Sequence, residues 1–286
     1  MNIPVTLFIF NRPDLVAGLL DRLREVKPSR LLVVADGARN EAESERVEAC
    51  RRLIDQIDWP CEIHKDYAET NLGCGRRIQT GLDRAFELFE RSIILEDDIY
   101  PDVTFFAFCE EMLERYADDT RIMTVTGGHF LKSIVPGPES YYFSIFPSAW
   151  GWATWRRAWK TYDREMSAWP RLKAAMWLMH HLHDAEMAAH YTRGFDLVSS
   201  GRLDTWDFQL VYSAWTTHAL SIVPKTTLCQ NFGFRPDATH TTGPNRLAHI
   251  NVRPLEFPLM HPSSMIPSPA GREFYRREHV PAGPRI

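Results

Sequence analysis

The chain predicts an α/β fold: a mostly parallel central sheet flanked by helices, with a more irregular helical subdomain behind it. Three observations point there. Apolar, β-branched runs alternate with amphipathic helical stretches through residues 1–100. The intervening helices are long enough to be right-handed crossovers, which make consecutive strands parallel. Polar residues gather just past the predicted strands, at the carboxyl edge where open parallel sheets bind ligands.

The elements follow in order. Ile3 to Phe10 is β-branched and aromatic, so it reads as a buried strand. Asn11-Arg12-Pro13-Asp14 then opens a helix, with a capping residue, a first-turn proline and an acid. Arg30 to Gly37 is the second strand, and Glu41 to Ile57 a charged amphipathic helix. Cys61 to Ala68 is a weaker third strand. Asn71 to Gly75 is a loop opening a helix that runs to about Phe89. The fourth strand is the apolar run Ile93-Ile94-Leu95, ending in Glu96-Asp97-Asp98. Asp102 caps a helix reaching Tyr116, and Arg121 to Val125 is a further strand. Ala168 to Tyr191 is expected as one helix, Asp207 to Thr217 as a short one, and Ser221 to Pro224 as a strand. Residues 1–264 make a single domain with halves 1–100 and 101–264. The proline-rich stretch 265–286 is expected to be a flexible tail.

Composition narrows the function. With 286 residues, 44% hydrophobic and 24% charged, the chain is an ordinary globular protein. Its formal net charge of −4 supplies no basic field for nucleic acid. Cys50, Cys61, Cys74, Cys109 and Cys229 are scattered without zinc spacing, which suggests free thiols and a cytoplasmic setting. The apolar stretch Ile3 to Phe10 is too short for a membrane span, so membrane contact is expected to be peripheral at most.

The acidic triplet carries the chemistry. Adjacent carboxylates repel and raise one another's pKa, so a cation should offset them. A hard divalent ion such as Mg²⁺ or Mn²⁺ takes one or two carboxylates plus phosphates, which makes Asp98 and its neighbours candidate ligands. Asn71-Leu72-Gly73 leads into a helix whose start carries Arg76 and Arg77. Helix-start N–H groups and cationic side chains suit an anion. Trp150-Gly151-Trp152 is expected to line a pocket, and the helical spacing of Trp152, Trp155 and Trp159 to place most of them in the core. Asp204 and Asp207 flank Trp206. Asp204 is the better cap for the helix that follows, which leaves Asp207 as the better general base. His240 lies in a glycine- and threonine-rich loop, suited to a metal or a phosphate.

The order of these features is the apolar strand with Asn-Arg, the strand with Asp-Gly, Asn-x-Gly before a helix, Glu-Asp-Asp, Gly-Trp, Trp-Asp and Thr-His. In that order they resemble the GT-A-fold nucleotide-diphospho-sugar transferases, which are Rossmann-like. The closest likeness is to bacterial family-2-like glycosyltransferases. A more distant one is to the N-acetylglucosaminyltransferases that carry an EDD motif. The resemblance covers roughly Ile3 to His261 and implies roles. Residues 1–100 become the nucleotide-binding half and 101–264 the acceptor-binding half. Phe10, Asn11 and Arg12 fall on the donor side, with Arg12 on the diphosphate. Asp36 takes the place of an acid that reads uracil, which favours a UDP-sugar. Asn71, Gly73, Arg76 and Arg77 sit where nucleoside contacts arise. Glu96 and Asp97 face ribose and donor sugar, and Asp98 is the direct ligand of Mn²⁺ or Mg²⁺. Trp150, Gly151, Trp152, Asp204 and Trp206 bound the acceptor and sugar pocket. His240 reaches metal or diphosphate. The branching enzymes have two acids after the tryptophan, whereas Phe208 follows Asp207 here, so the base is Asp207 or Asp204.

The chemistry that follows is an inverting transfer to a glycan, lipid-linked or other hydroxyl acceptor in surface polysaccharide or glycoconjugate synthesis. A single base and no nucleophile pair favour inversion. A non-catalytic glycan- or nucleotide-binding protein on the same fold is a second reading. A sugar nucleotidyltransferase is a weaker third, because Asn11-Arg12-Pro13 stands where its glycine-rich loop would be.

Overall fold

The computed structural model describes residues 1–129, 137–235 and 250–279. Its centre is an eight-stranded sheet built from β1 (Val5–Ile9), β2 (Arg30–Ala35), β3 (Glu62–Tyr67), β4 (Arg91–Glu96), β6 (Ile122–Thr126), β7 (Tyr141–Ser144), β8 (Trp152–Trp155) and β9 (Leu220–Pro224), in the order β3-β2-β1-β4-β8-β6-β9-β7. β1, β2, β3 and β4 are mutually parallel, as the crossovers demand. β8 runs antiparallel to both β4 and β6, and β7 antiparallel to β9. Between β4 and β6 the chain also forms β5 (Ile99–Pro101), which pairs with β10 (Cys229–Asn231) in a small second sheet.

Register explains why the polar residues converge. Phe8 stands level with Glu96, and Ile9 with Ala35. Phe10 to Arg12, Asp36 and Asp97-Asp98 therefore leave the sheet together at one edge. Ile94 stands level with Trp152 across the antiparallel pair, which delivers Gly151 and Trp150 to that same edge.

The crossover helices pack on the sheet: α1 (Pro13–Val26), α2 (Glu41–Ile54), α3 (Cys74–Leu88) and α4 (Val103–Arg115). α1 carries proline in its first turn. Asn40 caps α2 by accepting from the Glu43 N–H at 3.2 Å. Asp102 caps α4 by accepting from the Thr104 N–H at 2.8 Å, as its sequence position implies. All five cysteines are free thiols.

The second half departs from expectation in three places. Trp152 and Trp155 lie in a strand, with only the single turn α5 (Arg156–Trp159) behind it. β8 is buried on both faces, so its indoles fill the core without strand alternation, and their spacing imitates a helix. The helix expected over 168–191 is three: α6 (Trp169–Ala174), α7 (Trp177–Leu182) and α8 (Ala185–Ser199). Met176 and His183, both at positive φ, break it. The stretch expected as a flexible tail contains α10 (Pro269–His279), whose Tyr275 stacks on Phe146 with ring centroids 4.3 Å apart. Arg276 ties the same helix to Asp184 at 2.9 Å. The remaining helix, α9 (Asp207–Thr216), lies as expected. No helix among the described residues is long and apolar enough to cross a membrane.

One packing detail has a measurable pH signature. His181 is half-buried between Trp177 and Trp215, and its Nε2 has no hydrogen-bond partner among the described residues. Burial lowers its pKa to about 4, helped by His218, Arg272 and His183 around it. The folded chain thus resists a proton that the unfolded chain accepts. This contribution is complete above about pH 6.5 and is lost as pH falls toward 4. Wild type should lose about 2 kcal/mol more than His181→Gln between pH 7 and pH 4.5, a figure already discounted for partial exposure. Urea midpoints of the two proteins at each pH measure it, and identical losses would contradict it.

Candidate active site

The acids at the end of β4 have a cation within the chain. Arg12 Nη1 donates to Asp98 Oδ2 at 3.0 Å, and its Nη2 donates to Asp97 Oδ1. The Phe10 N–H also donates to Asp97, at 3.3 Å. Arg12 and Asp98 side chains are each 16% exposed and Asp97 only 3%. Burial lowers the guanidinium's pKa, but Asp97 and Asp98 outweigh it and hold the group firmly charged. Burial likewise pushes Asp97 up, with Arg12 opposing and Asp98 adding to the rise. Glu96 is pushed up furthest, first by burial and then by Asp98 and Asp97, with Arg12 opposing and Asp207 contributing. One guanidinium faces three carboxylates, so the cluster keeps an excess of negative charge.

That excess bears on a divalent ion. Asp98 Oδ1 accepts no hydrogen bond among the described residues and is a hard oxygen donor. No group of three or more His, Cys, Asp or Glu side chains among the described residues is arranged to hold a metal. One carboxylate plus a diphosphate is the usual Mg²⁺ arrangement, so Asp98 fits such an ion as part of a metal–nucleotide complex better than as a protein cage. The loop after β10 presses close: the Phe232 N–H donates to the Asp98 carbonyl at 2.8 Å. A Cβ on Gly233 would stand 2.2 Å from Asp98 Oδ2, so a larger residue there would have to displace the Asp98 carboxylate. His240 lies outside the described residues.

The edge beside these acids is partly open and partly spoken for. The Arg39 guanidinium lies over the Phe10 ring at 5.3 Å, and Asn11 donates to Glu43 at 3.0 Å. Arg39 and Glu43 carry no motif, and the only sequence signal for them is their place beside the helix start after β2. Asp36 accepts from the N–H groups of Gly37 and Leu72, each at 2.9 Å, from Gly73 N–H at 3.1 Å and from Asn71 Nδ2 at 3.0 Å. Burial pushes its carboxyl up against the pull of those N–H groups. Asp36 and Asn71 thus lock the end of β2 to the loop before α3, and the acceptor positions of Asp36 are filled from within. Arg77 is buried and braces β2 to β3, donating to the Ala35 carbonyl at 3.2 Å and pairing with Asp66 at 3.1 Å. Its guanidinium is therefore held by the sheet, unlike Arg76, which is exposed on the first turn of α3.

The tryptophan-rich segment differs from expectation in how its indoles are used. Trp152 and Trp206 are 1% and 4% exposed and stack on each other at 5.5 Å, so they form a floor beneath the site and do not line it. Trp150 keeps partial exposure and meets Phe234 edge to face at 5.4 Å. Gly151 turns between them at φ 64, its carbonyl accepting from Gly127 N–H at 2.7 Å.

Asp204 caps a different helix from the expected one. Its Oδ1 accepts from the Gly75 N–H of α3 at 3.0 Å, while α9 begins behind Trp206 with no side-chain cap. Asp207 is the first residue of α9 and exposed, with Oδ1 accepting from the Phe208 N–H at 2.9 Å and from the Thr205 hydroxyl. Cys74 marks where the two halves meet: burial raises its thiol pKa, and Glu96, Asp204, Asp207 and Asp36 all add to the rise. Asp36, on the Gly73 N–H, and Asp204, on the Gly75 N–H, bring acids from both halves of the chain to the start of α3.

No family model matches the chain, and no curated protein matches it in sequence. Solved structures resemble it in shape. One is residues 1–349 of TarS from S. aureus, 12% identical with a TM-score of 0.47, covering 80% of this chain and 59% of that one. Another is GalNAc-T7 with UDP, GalNAc and Mn²⁺, 11% identical with a TM-score of 0.48, covering 79% and 43%. A third is the 4-diphosphocytidyl-2C-methyl-D-erythritol synthase of Anaerococcus prevotii, 10% identical with a TM-score of 0.35, covering 58% and 77%. The chain thus spans about half the length of the first two. These likenesses assign no role to any residue.

A separate cleft of about 970 Å³ lies at the opposite edge of the sheet, among residues such as Pro4, Arg30, Glu90 and Arg91. Its flanking charges are largely matched, Arg91 with Glu114 at 2.6 Å and Arg156 with Glu90.

Proposed function

We propose that the chain is an inverting, divalent-ion-dependent glycosyltransferase that moves a sugar from a nucleotide-diphospho-sugar, with UDP favoured, to a hydroxyl of a glycan or lipid-linked acceptor. The observation that carries this is that Trp152, level with Ile94 of β4, stacks on Trp206 at 5.5 Å, which brings Asp207 at the head of α9 to the edge where the acids leave β4. A bound Mn²⁺ or Mg²⁺ would supply Lewis-acid stabilisation of the departing diphosphate. Asp98 would hold it, with His240 as a second candidate. Arg12 binds and orients a diphosphate by turning its fork of N–H donors, which rests on Asp97 and Asp98, toward the phosphate oxygens. The Phe10, Asn11 and Arg39 rim takes the nucleoside end, and Glu96 and Asp97 hydrogen-bond sugar hydroxyls. Trp150 offers an apolar face to an acceptor ring. Asp207 removes the proton of the attacking hydroxyl. One base acting on a single displacement inverts the anomeric carbon.

Nucleotide release from UDP-, GDP- and dTDP-sugars with Mn²⁺ or EDTA tests this. We expect release from one nucleotide class, abolished by EDTA. We also expect the donor nucleotide with Mn²⁺ to raise Tm by several degrees in wild type and not in Asp98→Ala. Stabilisation without turnover on any acceptor would make the chain a binding protein. Full activity in Asp98→Ala would remove the metal assignment.

A further inference from the structure

We propose that Asp204 is a positioning residue: it fastens the segment carrying Asp207 to the start of α3 and so sets the distance between the two halves of the site. This rests on the transferase reading above, and it assigns Asp204 neither proton transfer nor acceptor binding.

The start of α3 lacks a cap of its own. Its N-cap residue is Gly73, at φ 83, with no side-chain hydrogen bond, and no acid stands in its first turn. Asp204 supplies the missing acceptor from 129 residues away, through the Gly75 N–H at 3.0 Å. A carboxylate at this point satisfies both an orphan donor and the positive end of the helix.

The fit is close on both sides. A Cβ on Gly75 would lie 2.5 Å from Asp204 Oδ1 and 2.6 Å from the Thr205 carbonyl oxygen. A Cβ on Gly73 would lie 2.6 Å from Asp204 Oδ2. Both glycines are thus needed for the two segments to approach. One turn further along α3, Gln79 donates to the Tyr162 hydroxyl at 3.0 Å, and that hydroxyl donates to the Trp206 carbonyl at 3.1 Å. Gly75 and Gln79 are four apart, so a single face of α3 grips Asp204 directly and Trp206 through Tyr162. Trp206 is also pinned by its stack on Trp152. Asp207 follows at once as the first residue of α9. Loss of the Asp204 contact removes the segment's direct tie to the start of α3, leaving the Leu203 N–H on the Leu197 carbonyl and the Trp206 stack to hold it.

The test uses the full chain with Asp204→Ala, Asp204→Asn and Gly75→Ala. Asparagine caps helices as well as aspartate but carries no charge to take a proton. We expect kcat to fall at least tenfold in Asp204→Ala and Gly75→Ala, with donor KM within twofold, and to return to within threefold of wild type in Asp204→Asn. Hydrogen exchange of the amides at 203–208 should rise in the same two variants and recover in Asp204→Asn. An Asp204→Asn protein as inactive as Asp204→Ala would overturn the proposal and make Asp204 the base. Exchange unchanged in Asp204→Ala would overturn it whatever the activity, as would faster exchange with normal kcat. If wild type turns over no donor, the transferase reading fails. The exchange arm then still decides whether Asp204 holds the segment.

Discussion

Asp207→Asn is expected to bind donor within about twofold of wild type and to transfer sugar about 10²- to 10⁴-fold more slowly, the range for loss of a general base. Asp207 stands outside the Arg12–Asp97–Asp98 network that would meet the diphosphate, so its charge is not needed to bind donor. Its Oδ1 is occupied by the Phe208 N–H and the Thr205 hydroxyl, which hold the carboxylate in place and leave Oδ2 without a bond among the described residues. Asparagine keeps that shape and one acceptor oxygen but cannot accept the proton. Calorimetry with the donor nucleotide and single-turnover transfer separate the two effects. Transfer at the wild-type rate would move the base elsewhere. A matching loss of donor affinity would place Asp207 on the donor instead.

Much of the scaffold was legible because it depends on local rules. The apolar run of β4 and the acids after it follow from burial on both faces of a parallel strand. Asp102 announces the start of α4 by its place before an amphipathic helix, and it does cap it. The sharing of a sheet edge by Arg12, Asp36 and Asp98 follows from strand direction alone. The partners these residues choose are another matter. Sequence left the acids in need of a cation, and a metal was the obvious one. In the structure Arg12 already serves two of them, through contacts spanning 85 and 86 residues. Asp36 carries the right charge at the right strand end, yet backbone N–H groups of the loop before α3 consume it. Arg76 and Arg77 are adjacent and chemically alike, and helical geometry sends one to solvent and the other into the sheet. Asp204 illustrates the limit best. Local capping rules named a cap correctly, but the helix it caps lies 129 residues earlier. Neither periodicity nor propensity encodes a contact of that span.

Arg12→Ala is expected to be the most destabilising single change in the site, costing about 3 kcal/mol in the ligand-free protein. Removing one partner of a buried pair strands the other charge, at about 3–5 kcal/mol, and the partial exposure of Arg12 and Asp98 argues for the low end. A chain of this size should then lose roughly 6–12 °C in Tm. The sign of the next step separates charge from packing. Asp97 is 3% exposed in the wild-type structure and stands beside Asp98, so Arg12→Ala leaves two neighbouring acids with no arginine to offset them, and their repulsion carries most of the penalty. Adding Asp97→Asn to Arg12→Ala should therefore restore about 1–2 kcal/mol, although Asp97→Asn alone in wild type destabilises by breaking the Arg12 contact. If packing of the arginine stem were the source, the two changes would simply add. The same imbalance predicts that Mn²⁺ with donor nucleotide stabilises Arg12→Ala less than wild type if Arg12 holds the diphosphate, because the new cation gains Asp98 while the phosphates lose the guanidinium that faces it. Equal stabilisation of both proteins would confine Arg12 to balancing the acids and leave the diphosphate to other groups.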